Sequence, residues 1–147
     1  MNISFNVPCV PVAQPRQRHR IVKSKNHSFV SNYTPKNDPV NTFKASIRLA
    51  ASQVYKGPPL DCPLEIVIEA IFPRPKGLIW KTKPMPRKLK TTKPDCDNVA
   101  KAVYDALNGL IQRDDALFCI TKTVKYIAAG NEQPHVFITI STLEDLK

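Results

Sequence analysis

The sequence is poor in the features on which many enzyme chemistries rest. It has four glycines in 147 residues, none of them in a glycine-rich phosphate loop, so a nucleotide-driven motor is not indicated. His19, His27 and His135 are too dispersed for a histidine-based nuclease. Cys9, Cys62, Cys96 and Cys119 form no C-x-x-C pair and have no histidine at zinc-finger spacing, which argues against a disulfide framework or a structural zinc site. Reduced thiols used as small apolar residues are the simpler reading. No stretch approaches the roughly 18 apolar residues of a membrane span. Residues 1–12 lack the charged start and apolar run of a signal peptide. The expectation is a soluble, intracellular protein with no membrane partner.

Acid is scarce as well. Lys and Arg number 22 against 12 Asp and Glu, for a formal charge of +10. A surface this positive suits nucleic acid, an anionic membrane or an acidic protein. With 42% hydrophobic residues, 147 residues suffice for one domain with a real core, read here as 1–147.

Ile3, Phe5 and Val7 alternate with polar residues, the period of a half-buried strand. Residues 11–36 carry Arg16, Arg18, Arg20, Lys23 and Lys25 and no acid, which reads as an irregular basic arm. Asp38 as N-cap and Pro39 at the first helical position open a helix through Val40, Phe43, Ile47, Ala50 and Val54, stopped by Gly57. Leu64–Phe72 is apolar on both faces, as a central strand is. Residues 73–93 hold four prolines and eight Lys or Arg without a carboxylate, which reads as a long basic loop. Val99, Ala102, Val103, Ala106, Leu107 and Leu110 form the stripe of a second helix that Asn108-Gly109 can end. Leu117–Tyr126 and Val136–Ile140 are β-rich, and "AAGNEQ" between them reads as the turn of an antiparallel pair. The fold class is α+β: a small mixed sheet with two main helices packed on it.

Against this background, residues 93–118, "KPDCDNVAKAVYDALNGLIQRDDALF", gather Asp95, Asp97, Asp105, Asp114 and Asp115 directly after the basic loop. Asp95 and Asp97 are two apart ahead of the helix, so an extended chain points both to one side, where they can share an ion. A purely structural role, capping the helix, suits one of them and does not account for both. Helical spacing sets Asp97, Lys101 and Asp105 on one polar face, where an i,i+4 salt bridge with Lys101 is the ordinary alternative and the one assigned to Asp105. Asp114 and Asp115 precede the next strand, and the returning chain is expected to bring a third carboxylate toward the first two. Several oxygen ligands and no soft ligand suit Mg²⁺ or Mn²⁺ rather than zinc.

The pattern Lys-Pro-Asp-x-Asp-Asn, a lysine four residues after the second Asp, then Asp-Ala-Leu-Asn-Gly and an Asp-Asp pair before a strand resembles the signature of the RusA family of Holliday-junction resolvases, largely carried by bacteriophages and prophages. Weaker echoes are "PVAQPRQR" and "FPRPK". The resemblance implies that Asp95, Asp97 and Asp115 are metal ligands, with Asp114 a further candidate, and that Lys101 is the functional lysine. It also implies Mg²⁺ dependence with Mn²⁺ able to substitute, a homodimer, and paired nicks in a four-way DNA junction inside a bacterial host cell, in recombination and repair. Cys96, where an aliphatic residue is usual, departs mildly from the pattern. Arg16, Arg18, Arg20, Lys76, Lys81, Lys83, Arg87, Lys88, Lys90 and Lys93 are expected to contact DNA phosphates. Trp80 is a candidate for stacking on an unpaired base or, equally, for packing on the core. Two other readings stay open: a nuclease for flaps or forks, and a non-catalytic basic DNA-binding protein whose aspartates are caps and salt bridges.

Overall fold

The structure, a computed structural model, describes residues 1–16 and 18–144. Five strands, β1 (Asn2–Val7), β4 (Leu64–Phe72), β5 (Lys88–Leu89), β6 (Phe118–Ile127) and β7 (His135–Thr142), form one mixed sheet in the order β1-β7-β4-β6-β5. Strand β4 lies at its centre, antiparallel to β7 and parallel to β6. Two helices, α1 (Pro39–Val54) and α2 (Cys96–Leu107), pack on each other, with α1 also against β1 and α2 against β6. This is the expected α+β arrangement.

Register explains where the core forms. Ile3, Ile140 and Ile66 pair across β1, β7 and β4, as do Phe5, Ile138 and Ile68, and then Val7, Val136 and Ala70. All nine are buried and meet Val40, Phe43 and Ile47 of α1 and Ala102, Val103 and Ala106 of α2 in the main core or beside it. The next residues in these rows, on β6, are Thr121, Thr123 and Lys125. The apolar rows therefore give way to polar side chains where the N-terminal half of α2 crosses the sheet. This change of character positions the site.

Helix α1 begins as its sequence dictates. Asp38 accepts a bond from Val40 N at 3.0 Å, with Pro39 at the first helical position. After α2 the chain turns at Gly109, whose φ of 78° is the left-handed conformation glycine tolerates. Among the described residues no helix is long and apolar enough to cross a membrane.

Three expectations need correction. The arm over 11–36 is not irregular: it contains β2 (Arg18–Lys23) and β3 (Ser28–Tyr33), an antiparallel ribbon separate from the main sheet. Its strands have no buried face, so the apolar alternation that marks a strand is missing from the sequence. The loop over 73–93 contains the short edge strand β5, paired to β6 at Lys88–Ile127 and Leu89–Tyr126. Finally, β6 and β7 are not a hairpin pair. Strand β4 lies between them because it is the strand with two apolar faces, which a central position buries.

Candidate active site

Asp95 occupies the N-cap position of α2 with extended backbone, yet its side chain accepts no capping hydrogen bond. A helix cap is therefore not what this carboxylate is used for. Asp97 lies in the first turn, where negative charge favours the helix dipole. Its Oδ2 is 4.0 Å from Lys101 Nζ, with the two side chains 69% and 61% exposed. An ion pair this open contributes little to stability, so both groups are free to engage a ligand.

Lys101 forms a wall between two hollows. One, of about 440 Å³, is lined by Gln14, Pro15, Arg16, Asn98, Lys101 and Asp105. The other, of about 320 Å³, is lined by Cys96, Asp97, Ala100, Lys101, Tyr104 and the two threonines of β6. The first is closed on one side because Gln14 N donates to Asn98 O at 2.9 Å, tying the segment after β1 to the start of α2. Gln14 Oε1 is buried there without a hydrogen-bond partner. Cys96 Sγ lies 3.6 Å from Thr123 O, which joins the N-terminus of α2 to mid-β6. Lys125 Nζ donates to Thr92 O and Pro94 O at 2.8 and 2.7 Å, fixing the end of the basic loop just ahead of Asp95.

The Asp-Asp pair sits elsewhere. Asp114 Oδ1 accepts from Ala116 N at 2.8 Å, an ordinary turn cap. Asp115 Oδ1 accepts from Gln112 Nε2 at 2.9 Å, and the same amide donates to Tyr104 O at 3.1 Å. Asp115 is thus tied to the C-terminal part of α2, where Tyr104 lies nine residue steps from Asp95, about 13.5 Å along the axis. Among the described residues no three His, Cys, Asp or Glu are grouped closely enough to hold a metal ion. The returning chain does not bring Asp115 to Asp95 and Asp97 within one chain. Strand β6 runs opposite to α2, with Phe118 beside Tyr104 and Thr123 beside Cys96, so its start lies at the far end of the helix.

The expected cationic residues divide by what they touch. Arg16 lines the first hollow; Arg18 and Arg20 lie on the ribbon; Lys76, Lys81, Lys83, Lys88 and Lys93 are exposed. Arg87 instead pairs with Glu132 and lies 5.0 Å over the Tyr126 ring, while Lys90 donates to Thr92 Oγ1 and lies over Phe72. Hydrogen bonding to Arg87 holds the Glu132 carboxyl below its ordinary pKa and raises that of Arg87. Arg74 donates to Leu78 O, Pro86 O and Ala128 O, so it shapes the basic loop. Trp80 is 38% exposed and flanked by Arg74 and Lys83 at 5.3 and 5.8 Å from its ring. Asp105 pairs with Lys44 of α1 at 3.2 Å, not with Lys101. The four cysteines are unpaired, and burial raises the Cys9 thiol pKa.

Spacing and motif assign no role to Gln112, or to Gln14 and Asn98, although these two lie within "PVAQPRQR" and the Lys-Pro-Asp-x-Asp-Asn pattern. Gln112 is fully buried, and its Oε1 has no partner. The signal available for it was a lone polar residue continuing the apolar run Leu110-Ile111. For Asn98 it was its place directly after Asp97.

The family model for endodeoxyribonuclease RusA matches residues 8–141. Over 145 residues the chain is 34% identical to the uncharacterized protein YqaN of Bacillus subtilis (strain 168), an alignment that covers 94% of each chain.

Proposed function

The chain belongs to the RusA endodeoxyribonuclease family, and from that membership we propose that it is a structure-specific endonuclease that resolves four-way DNA junctions by paired, Mg²⁺-dependent nicks. Recombination and repair in a bacterial host cell is the setting this activity fits. The observation that carries the reading is the uncommitted pair Asp95 and Asp97 beside Lys101, at a helix end bordered by two clefts.

The donor set at this end fits a hard divalent cation. Mg²⁺ is commonly held by one or two carboxylates together with waters and substrate phosphate, and Asp95 and Asp97 would be those carboxylates. When bound, such an ion makes water a better nucleophile and offsets charge on the phosphate and leaving oxygen. The protein's own groups supply the rest. Lys101 would donate to a phosphate oxygen whose charge grows in the transition state. Arg16, Arg18, Arg20, Lys76, Lys81, Lys83, Lys88 and Lys93 would carry the DNA backbone, a salt-sensitive contact without sequence readout. Arg87 and Lys90 would act one step back, holding the loop that presents their neighbours. Asp115, remote from Asp95 in its own chain, would complete a three-carboxylate site from a second copy. A two-fold dimer is also the simplest source of two symmetric nicks.

The test is incubation of purified protein with a synthetic four-way junction, a fork and a linear duplex, in Mg²⁺ or a chelator. Symmetric nicks in the junction, lost with the chelator, are expected. Preferential cutting of the fork would move the substrate to other branched DNA. A junction bound but uncut under every divalent ion would leave a DNA-binding protein.

A further inference from the structure

The β2–β3 ribbon is the one part of the described chain whose strands pack on neither the helices nor the five-stranded sheet beyond stray contacts. It nonetheless carries large apolar side chains. Ile21 and Val30 face each other across the ribbon and are 68% and 64% exposed; Phe29, opposite Val22 on the other face, is 54% exposed. Such residues on an unsupported ribbon do nothing for the core, and left in water they are a liability.

Their surroundings indicate what covers them. The apolar band lies between cations: Arg18 and Arg20 toward the root, Lys23 and Lys25 at the tip, where a turn is closed by Ser24 N donating to His27 O at 2.8 Å. No carboxylate occurs in residues 1–37. A second copy of the ribbon seated on this band would bring Arg18, Arg20, Lys23 and Lys25 against the same cations. A polyanion with exposed ring faces complements both the cations and the band.

The root of the ribbon is fixed in position. Before β2, Gln14 is bonded to Asn98, and Arg16 lines the hollow that Lys101 shares. After β3, Asn41 Nδ2 donates to Pro35 O and Lys36 O at 3.1 and 3.0 Å, tying the return to α1. Each six-residue strand of the ribbon spans about 20 Å. The segment ahead of the ribbon is therefore tied beside the residue after Asp97, and the segment behind it to α1.

We propose that the β2–β3 ribbon is a wedge that enters the branch point of the DNA, with Ile21, Val30 and Phe29 against unstacked bases and the flanking Arg and Lys on the phosphates around them. Apolar side chains inserted between base steps cost a few kcal/mol of unstacking in continuous duplex. At a branch point the stacked arms are joined by exchanging strands and can swing apart, which continuous duplex cannot do, so the wedge distinguishes branched from linear DNA without reading sequence. The inference rests on the junction-nuclease reading and adds how branched DNA is selected.

The experiment uses the full chain in Ca²⁺ with a four-way junction carrying 2-aminopurine at the branch point, beside a linear duplex of matched length. Wild-type protein is expected to raise the fluorescence as the base unstacks. The variant Ile21→Thr/Phe29→Thr/Val30→Thr keeps residues that suit a strand, and circular dichroism checks its fold. It is expected to lose most of the fluorescence rise and about tenfold in junction affinity, of the order of one aromatic stacking contact, with duplex affinity unchanged. Single Phe29→Thr should give part of the loss. Junction binding by wild type without a fluorescence change would overturn the wedge alone, as would equal losses on junction and duplex. A shift of the variant from dimer to monomer in light scattering would also overturn it, placing a second copy on the ribbon. Failure of wild type to prefer the junction over duplex at all would instead defeat the underlying nuclease reading.

Discussion

Asn keeps the shape of Asp97 and a hydrogen-bond acceptor but removes its charge, so Asp97→Asn separates a structural role from a chemical one. The fold should survive, junction binding in Ca²⁺ should be equal or tighter because a charge that repels phosphate is gone, and single-turnover nicking should disappear. Lys101→Met keeps the stem and loses the cation, and should slow nicking by about a hundredfold or more. Asp105→Asn should change nicking little, since its partner is Lys44 on the neighbouring helix. Gln112 acts through a different atom. Met matches its bulk but cannot donate to Asp115 or to Tyr104 O. Gln112→Met should cost about 1–2 kcal/mol, part of the penalty for an unpaired buried acceptor being offset by removal of the orphaned Oε1. Nicking should slow with junction affinity unchanged, as read by thermal unfolding and single-turnover assays.

Among the elements, the basic loop is held by the hydrogen bonds of Arg74 and Lys125 and by one ion pair. Glu132 accepts from Arg87 and, through Oε1, from Ala129 N at 3.0 Å, which staples the segment before β5 to the turn before β7. Because Arg87 lowers the folded-state pKa of Glu132, the pair's contribution is complete above the ordinary carboxylate range. It is lost as pH falls through the depressed value. The single tryptophan, Trp80, stands between Arg74 and Lys83 in the same loop and reports on it. Its fluorescence should titrate with a midpoint below the ordinary carboxylate range, and Glu132→Gln should abolish that step. Among the elements, α1, β4 and α2 were legible in sequence because each has a buried face that imposes its period on the residues. The ribbon and β5 have no buried face and so left no period to read.

For the whole molecule, the distance along α2 between Asp95 and Asp115 makes assembly testable by mixing. Asp97→Asn and Asp115→Asn chains are each expected to be inactive alone. If each site takes Asp95 and Asp97 from one chain and Asp115 from the other, a mixed dimer carries both lesions in one site and none in the second. Mixing after brief unfolding should then restore nicking of one strand in the junction. Persistent inactivity of verified mixed dimers would place all three aspartates in one chain's site. Light scattering that shows only monomer where cleavage proceeds would remove the two-fold arrangement itself.

What the sequence determined by itself was local: the helix starts at Asp38 and ahead of Cys96, the apolar stripes, the doubly apolar β4, and the placing of Asp97 and Lys101 on one face of a helix. Neighbours within one helical turn are set by backbone geometry, so spacing alone placed Lys101 beside Asp97. The tertiary structure decided whatever depends on separate segments meeting. It put β4 between β6 and β7, gave Asp105 to Lys44 and Arg87 to Glu132, and carried Asp115 to the far end of α2. No residue-level rule reaches those outcomes, because the direction in which β6 runs past α2 is set by burial of the whole sheet.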